Sequence, residues 1–187
     1  MFIVAKSPII AIGLIAVIIT GVAGVTSTVL TYNSLVSKQA TVQAQWAQVE
    51  NQYQRKIDLI PSLVSAVNGS IGFEQSTLLN ITRLRSQWLS SSGVDQRVNI
   101  TNAMDVILFN MRATYENYPQ LQTVQTIRGL MDELAGTENR IAVERMRFND
   151  DVLDYNTQVR TFPSNVVAGW FGFHETRYYT IPGHPQP

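Results

Sequence analysis

The chain reads as an all-α protein in which an N-terminal transmembrane helix continues into an antiparallel up-and-down four-helix bundle. Three observations carry this reading. Residues 7–37 contain no charged side chain, and residues 9–30 are dominated by Ile, Val, Ala and Gly; roughly 20 such residues, rising about 1.5 Å each, cross a bilayer core. Two long segments carry apolar stripes at heptad spacing, which keep one helix face toward one partner. Short clusters of Gly, Pro and Ser punctuate the chain between them. These features divide it into an anchor over residues 1–31, a bundle over 32–163 and a C-terminal tail over 164–187.

The anchor reading competes with a cleaved signal peptide, with Lys6 in its basic region and Ala23-Gly24 as a small-residue cleavage site. The apolar run is long for that purpose. A single pass through the cell membrane follows. Flanking charge does not orient it, since Lys6 faces Lys38, Arg55 and Lys56 across the span. Sequons at Asn68, Asn80 and Asn99 favour an external bundle if used, although a chain rich in Asn, Ser and Thr acquires that many by chance.

No Gly or Pro separates the membrane segment after Gly24 from the first stripe, Tyr32, Leu35, Gln39, Val42, Trp46, Val49, Tyr53, Lys56 and Ile60. One helix therefore runs through both, passes Pro61 with a kink, and ends near Asn68-Gly69. A second helix spans about 73–89 with Leu78, Ile81, Leu84 and Trp88 inward, closed by residues 90–93. A third starts near Asp95, faces the core with Val98, Met104, Ile107, Met111 and Tyr115, and stops before Tyr118-Pro119. The fourth covers 121–162. Its stripe is Ile127, Met131, Leu134, Glu138, Ile141, Arg145, Phe148, Val152, Tyr155, Val159 and Phe162. Pro163 ends it.

The tail sets Trp170, Phe171, Phe173, Tyr178 and Tyr179 among Gly, Pro and Asn. Four up-and-down helices return the chain toward the membrane. Those aromatics then lie at the headgroups, where Trp and Tyr are favoured, or fold over the open end of the bundle. If helices two and three are collinear, the tail points away from the bilayer instead.

Composition excludes several functions. With 14 basic and 14 acidic residues the net charge is zero, and no basic run interleaved with aromatics exists, so nucleic acid is not an expected partner. Without cysteine there is no disulfide, thiolate site or cysteine nucleophile. The two histidines, His174 and His184, lie in the tail, and none of the helical metal or nucleotide motifs occurs. Neither enzymatic activity nor a cofactor is expected.

Charged residues on packed stripes require partners. Aligning Tyr32 with Phe162 makes facing residue numbers sum to about 194, which sets Trp46 opposite Phe148, Gln39 opposite Tyr155, Lys56 opposite Glu138, and Arg145 beside Glu50. The resulting polar band, Glu50, Arg55, Lys56, Asp58, Glu138 and Arg145, reads either as a ligand or proton site or as a register-fixing device, the structural reading being preferred.

The chain also resembles the LemA family over nearly its whole length. The likeness rests on residues 32–36, Trp46 and Val49, residues 55–64, 116–119 and 136–142, Arg145, Phe148-Asn149, Tyr155-Asn156, Phe162-Pro163 and Phe171-Gly172-Phe173. It implies a membrane-anchored antiparallel four-helix bundle with a short external amino terminus and an internal bundle, and it supplies no reaction. Asn68 and Phe73 stand where the family pattern has a basic residue and a histidine, which speaks against a metal or acid–base site there. The expected role is a scaffold or interaction module meeting the lipid bilayer and an unidentified protein partner. The alternative is a structural protein that self-assembles into a homo-oligomeric ring or filament.

Overall fold

The computed structural model describes residues 8–70, 72–91, 94–122 and 124–179. Lys6, Ser92-Gly93 and His184 lie outside them, as does the end of the tail. Among the described residues the regular structure is entirely helical: α1 Pro8–Val67, α2 Gln75–Ser90, α3 Val94–Asn117, α4 Pro119–Gln122, α5 Gln125–Arg160 and α6 Ser164–Phe171.

α1 is one uninterrupted helix of 60 residues. Its apolar part is exposed all round, from Ile12 to Leu30, and is long and apolar enough to cross a membrane. The hydroxyls of Thr20 and Thr28 donate to the Ala16 and Gly24 carbonyls at 2.9 Å. Polar groups in this stretch are thus satisfied by their own helix.

The chain forms two compact units, one from the chain up to Trp46 together with the chain from Arg147, the other from Ala47–Met146. In the first unit α1 and α5 run antiparallel. Ser34 and Gln158 exchange hydrogen bonds of 3.1 and 2.9 Å, Lys38 pairs with Asp154 at 2.5 Å, and Trp46 packs edge-on against Phe148 at 5.3 Å. The core is Leu35 and Val42 of α1, Phe148, Val152 and Tyr155 of α5, and Val167 and Ala168 of α6.

The tail neither caps a bundle end nor runs free. It forms α6, turns at Gly172 (φ 74°) with the Phe173 N–H donating to the Ala168 carbonyl at 2.9 Å, and returns along α5. The left-handed turn suits a residue without Cβ. The Asn156 amide then donates to the Thr176 carbonyl (2.8 Å) and accepts from its N–H (2.9 Å), while Asn149 does the same at Tyr179 (3.0 and 2.8 Å). Tyr155 donates to the His174 carbonyl at 3.0 Å. The spacing has a simple origin: seven helical residues rise about 10.5 Å, and three extended residues span about 10 Å. Two asparagines one heptad apart therefore meet two backbone units three residues apart. Arg160 clamps Glu175 by two bonds of 2.8 and 2.6 Å.

Two stripe assignments change here. Phe162 is 79% exposed because α5 stops at Arg160. Tyr32 meets Phe171 and Phe173 at 4.9 and 5.6 Å, so the tail occupies the place assigned to Phe162. The expected fourth helix is also divided, into α4 and α5, with no proline or glycine at the break.

In the second unit, α1 (Val49, Tyr53, Ile57, Ile60, Leu63), α2 (Leu78, Ile81, Trp88), α3 (Met104, Leu108, Met111) and α5 (Ile127, Met131, Leu134, Ile141) share one buried core. The buried hydroxyls of Thr101 and Thr137 return to the Arg97 and Glu133 carbonyls at 2.8 Å. At Gly72 (φ 97°) a Cβ would stand 2.8 Å from the Tyr118 ring, so this loop position needs glycine for conformation and for space.

Pro61 sits inside α1 without ending it. A proline lacks the N–H that the carbonyl four residues earlier would accept, here that of Ile57. Arg85 of α2 supplies the missing donor, its Nε lying 3.2 Å from the Ile57 oxygen. Arg85→Met is expected to cost about 1–3 kcal/mol, and clearly less in a Pro61→Ala background, where the backbone donor returns. Denaturant unfolding of the four-member cycle measures the difference. For the strap, Asn149→Ala with Asn156→Ala removes four hydrogen bonds. Hydrogen exchange at Thr176 and Tyr179 should then rise by more than tenfold while the second unit keeps its protection.

Candidate functional site

The polar band assembles around Lys56 in the second unit. Lys56 projects from α1 on the same face as Val49, Tyr53 and Ile60 and is only 2% exposed. Its ammonium lies 2.6 Å from Asp105 of α3 and 3.1 Å from Glu138 of α5. Arg145, two turns beyond Glu138, lies 3.8 Å from Asp105 and over the Tyr53 ring at 5.1 Å, with a hydrogen bond to the Tyr53 hydroxyl. Two cations and two carboxylates thus occupy one cluster and cancel.

The other sequence-derived members stand apart. Where the register set Arg145 beside Glu50, Glu50 instead receives Arg97 of α3 at 2.8 Å; Arg97 also stacks on Trp88 at 4.8 Å and donates to the Ser91 carbonyl at 3.1 Å. Arg55 is exposed and pairs with Glu133 at 3.1 Å, and Asp58, also exposed, accepts from Gln54 at 2.8 Å. The Lys56–Glu138 contact of the 194 register is present.

The apolar periodicity of α3 does not point to Asp105 or Arg97, because it selects only the buried face of the helix. Their signal was available: Asp105 directly follows Met104 and precedes Leu108 by three, so it borders the buried stripe. Burial pushes the Asp105 carboxyl above its ordinary value of 3.8, with the Lys56 ammonium opposing and Glu138 reinforcing.

The cluster lines a cleft of about 710 Å³. Met131, Leu134, Ile141 and Leu108 wall it, and Val106, Phe109, Arg112 and Glu116 form its lip. Phe109 is 70% exposed there. Among the described residues no group of three or more His, Asp or Glu side chains is placed to hold a metal ion. His174 belongs to the first unit, where its backbone carbonyl accepts from Tyr155, and it is not among the residues lining this cleft. The neutralised cluster ties three helices at one level.

The aromatic set divides. Tyr179 is 8% exposed and stacks on Trp46 at 6.4 Å, in the interior of the first unit, and Tyr178 is half-buried in the strap. Trp170 and Phe171 are exposed, and Phe173 is half-buried.

The fold and the cluster define a helical protein that has, among the described residues, one helix long and apolar enough to cross a membrane, and a charge-neutral polar cluster in its core. The LemA family model matches residues 45–186, and the chain belongs to the LemA family. It is similar to "Magnetosome protein MamQ 2" of Paramagnetospirillum magneticum, at 23% identity over 200 aligned residues covering 93% of this chain and 73% of that protein. "Magnetosome protein MamQ" of Magnetospirillum gryphiswaldense is also 23% identical, over 84% of this chain and 68% of its own length. "Protein LemA" of Metamycoplasma hominis is 25% identical over 138 residues, 73% of this chain and 63% of its own length.

Lys56→Met leaves two carboxylates facing each other in a half-buried site and should cost about 3–5 kcal/mol in denaturant unfolding. Adding Glu138→Gln should recover most of that loss, since the one carboxylate left in the cluster, Asp105, still faces Arg145. For Asp105 the sign is set by its raised pKa. The folded state holds this proton more tightly than the unfolded one, so its contribution falls as pH rises from 3.8 through the elevated value. Asp105→Asn is therefore expected to be less damaging at neutral pH than below pH 3.8, as unfolding at the two pH values would show.

Proposed function

We propose that this protein is a non-enzymatic scaffold of the LemA type, held in the cell membrane by the apolar part of α1 and offering its helical units to a protein partner. The observation that carries the reading is α1 itself. Its apolar segment, exposed on every side, passes without a break into a helix that buries Val49, Tyr53, Lys56 and Ile60. An anchor and a packed helix on one rod transmit position better than a flexible tether.

The electrostatics support a structural role for the interior. A carboxylate serving as general base must accept a proton on a free oxygen, and Lys56 holds the Oε1 of Glu138 in an ion pair. Phe109 and Val106, exposed beside the cleft, supply apolar contact area of the kind protein partners cover.

After alkaline carbonate washing, the full chain is expected to stay with the membrane fraction at its uncleaved mass. Release into the wash would overturn the anchor, and loss of the N-terminal segment by mass spectrometry would show a signal peptide. In detergent, light scattering should give one discrete small species; rings or filaments would favour self-assembly over the scaffold reading.

A further inference from the structure

The end of α6 lies beside the point where the apolar span of α1 ends. Residues 9–30 cover about 33 Å at 1.5 Å per residue, close to a bilayer's hydrocarbon thickness, so the interface falls just beyond Leu30. Tyr32 is the first aromatic after that point, and its ring touches Phe171 at 4.9 Å and Phe173 at 5.6 Å. α6 is thereby fixed beside the end of the span. Lys38, the first charged residue of α1 past the span, pairs with Asp154 about 9 Å further on.

α6 has two faces. Ser164, Val167 and Ala168 are buried against the unit. Val166 and Trp170 stand on the other side and are exposed, Trp170 by 71%, and Phe162, in the turn before α6, is exposed as well. Residues 161–173 carry no charged side chain. The nearest charges are Arg160 and Glu175, which bind each other at the edge of the segment. Leaving side chains of this size in water forgoes about 1.5–3 kcal/mol each. An uncharged helix with a second apolar face, held where a membrane span ends, matches an element that lies in the interface.

We infer that α6 is an interfacial helix whose Val166 and Trp170, together with Phe162 in the turn before it, enter the headgroup boundary of the bilayer that α1 crosses. The inference rests on the anchor reading above. Its partner is the lipid surface, and Trp170 is its principal contact. Arg160 and Glu175 stay on the water side, and the strap beyond Phe173 leads the chain away from the membrane toward Trp46.

The test uses the full chain reconstituted in phosphatidylcholine–phosphatidylglycerol vesicles, with or without acyl chains brominated close to the headgroup. Of the three tryptophans, Trp88 is buried and Trp46 packs between Phe148 and Tyr179, so quenching by bromine should come from Trp170. Wild type and Trp46→Phe should be quenched, whereas Trp170→Phe should lose the quenching; its exposed position makes misfolding no obstacle. Vesicle flotation with unquenched emission, or quenching that survives in Trp170→Phe, overturns the interfacial helix and leaves the anchor standing. Failure to float with the vesicles overturns both.

Discussion

A buried ammonium must be neutralised where it stands, and much of the second unit follows from that requirement at Lys56. Asp105 draws α3 to α1, and Glu138 draws α5. The next residue, Ile57, recruits the remaining helix, because Pro61 denies its carbonyl a backbone donor and Arg85 of α2 provides one. Two consecutive residues of α1 thus specify a polar contact with each of its three neighbours. An apolar core alone would tolerate sliding between stripes. These directional contacts do not, since a slip of one turn would strand a charge or a carbonyl.

The first unit solves a different problem. A tail rich in Gly, Pro and aromatics has no periodicity with which to join a helix pair. It is held instead through its backbone, by asparagine amides that each bond an N–H and a C=O of one tail residue. Such a clamp demands the strap's spacing more than its side chains. The aromatics then fill the gaps that the strap leaves, Tyr179 over Trp46 and Phe171 and Phe173 around Tyr32. Glu175, whose carboxyl is held below its ordinary range by Arg160, adds an exposed tie that weakens as acid protonates it.

Several stretches that carry the family likeness acquire physical roles. Residues 55–64 contain both Lys56 and the Ile57–Pro61 pair; Phe148-Asn149 and Tyr155-Asn156 pair a core aromatic with a strap clamp; Phe171-Gly172-Phe173 places a left-handed turn between two rings that grip Tyr32. The same stretches thus build the three parts of the fold: the long apolar helix, the packed helices and a tail folded back on its own helix.

What the amino-acid sequence determined by itself was everything that depends on local periodicity and composition. The charge-free span, the helical class, the passage of α1 through Pro61 and the facing of Trp46 with Phe148 and Lys56 with Glu138 all follow from repeats along one chain. Only the tertiary structure decided the partners that lie off those repeats. Asp105 and Arg97 border an apolar face instead of occupying it, so their roles depend on which helix comes to lie beside α3. The strap's path depends on bonds to backbone atoms, which no side-chain pattern encodes. That is why Tyr179 went to the core and Phe162 to the surface, reversing the order that hydrophobicity alone suggested.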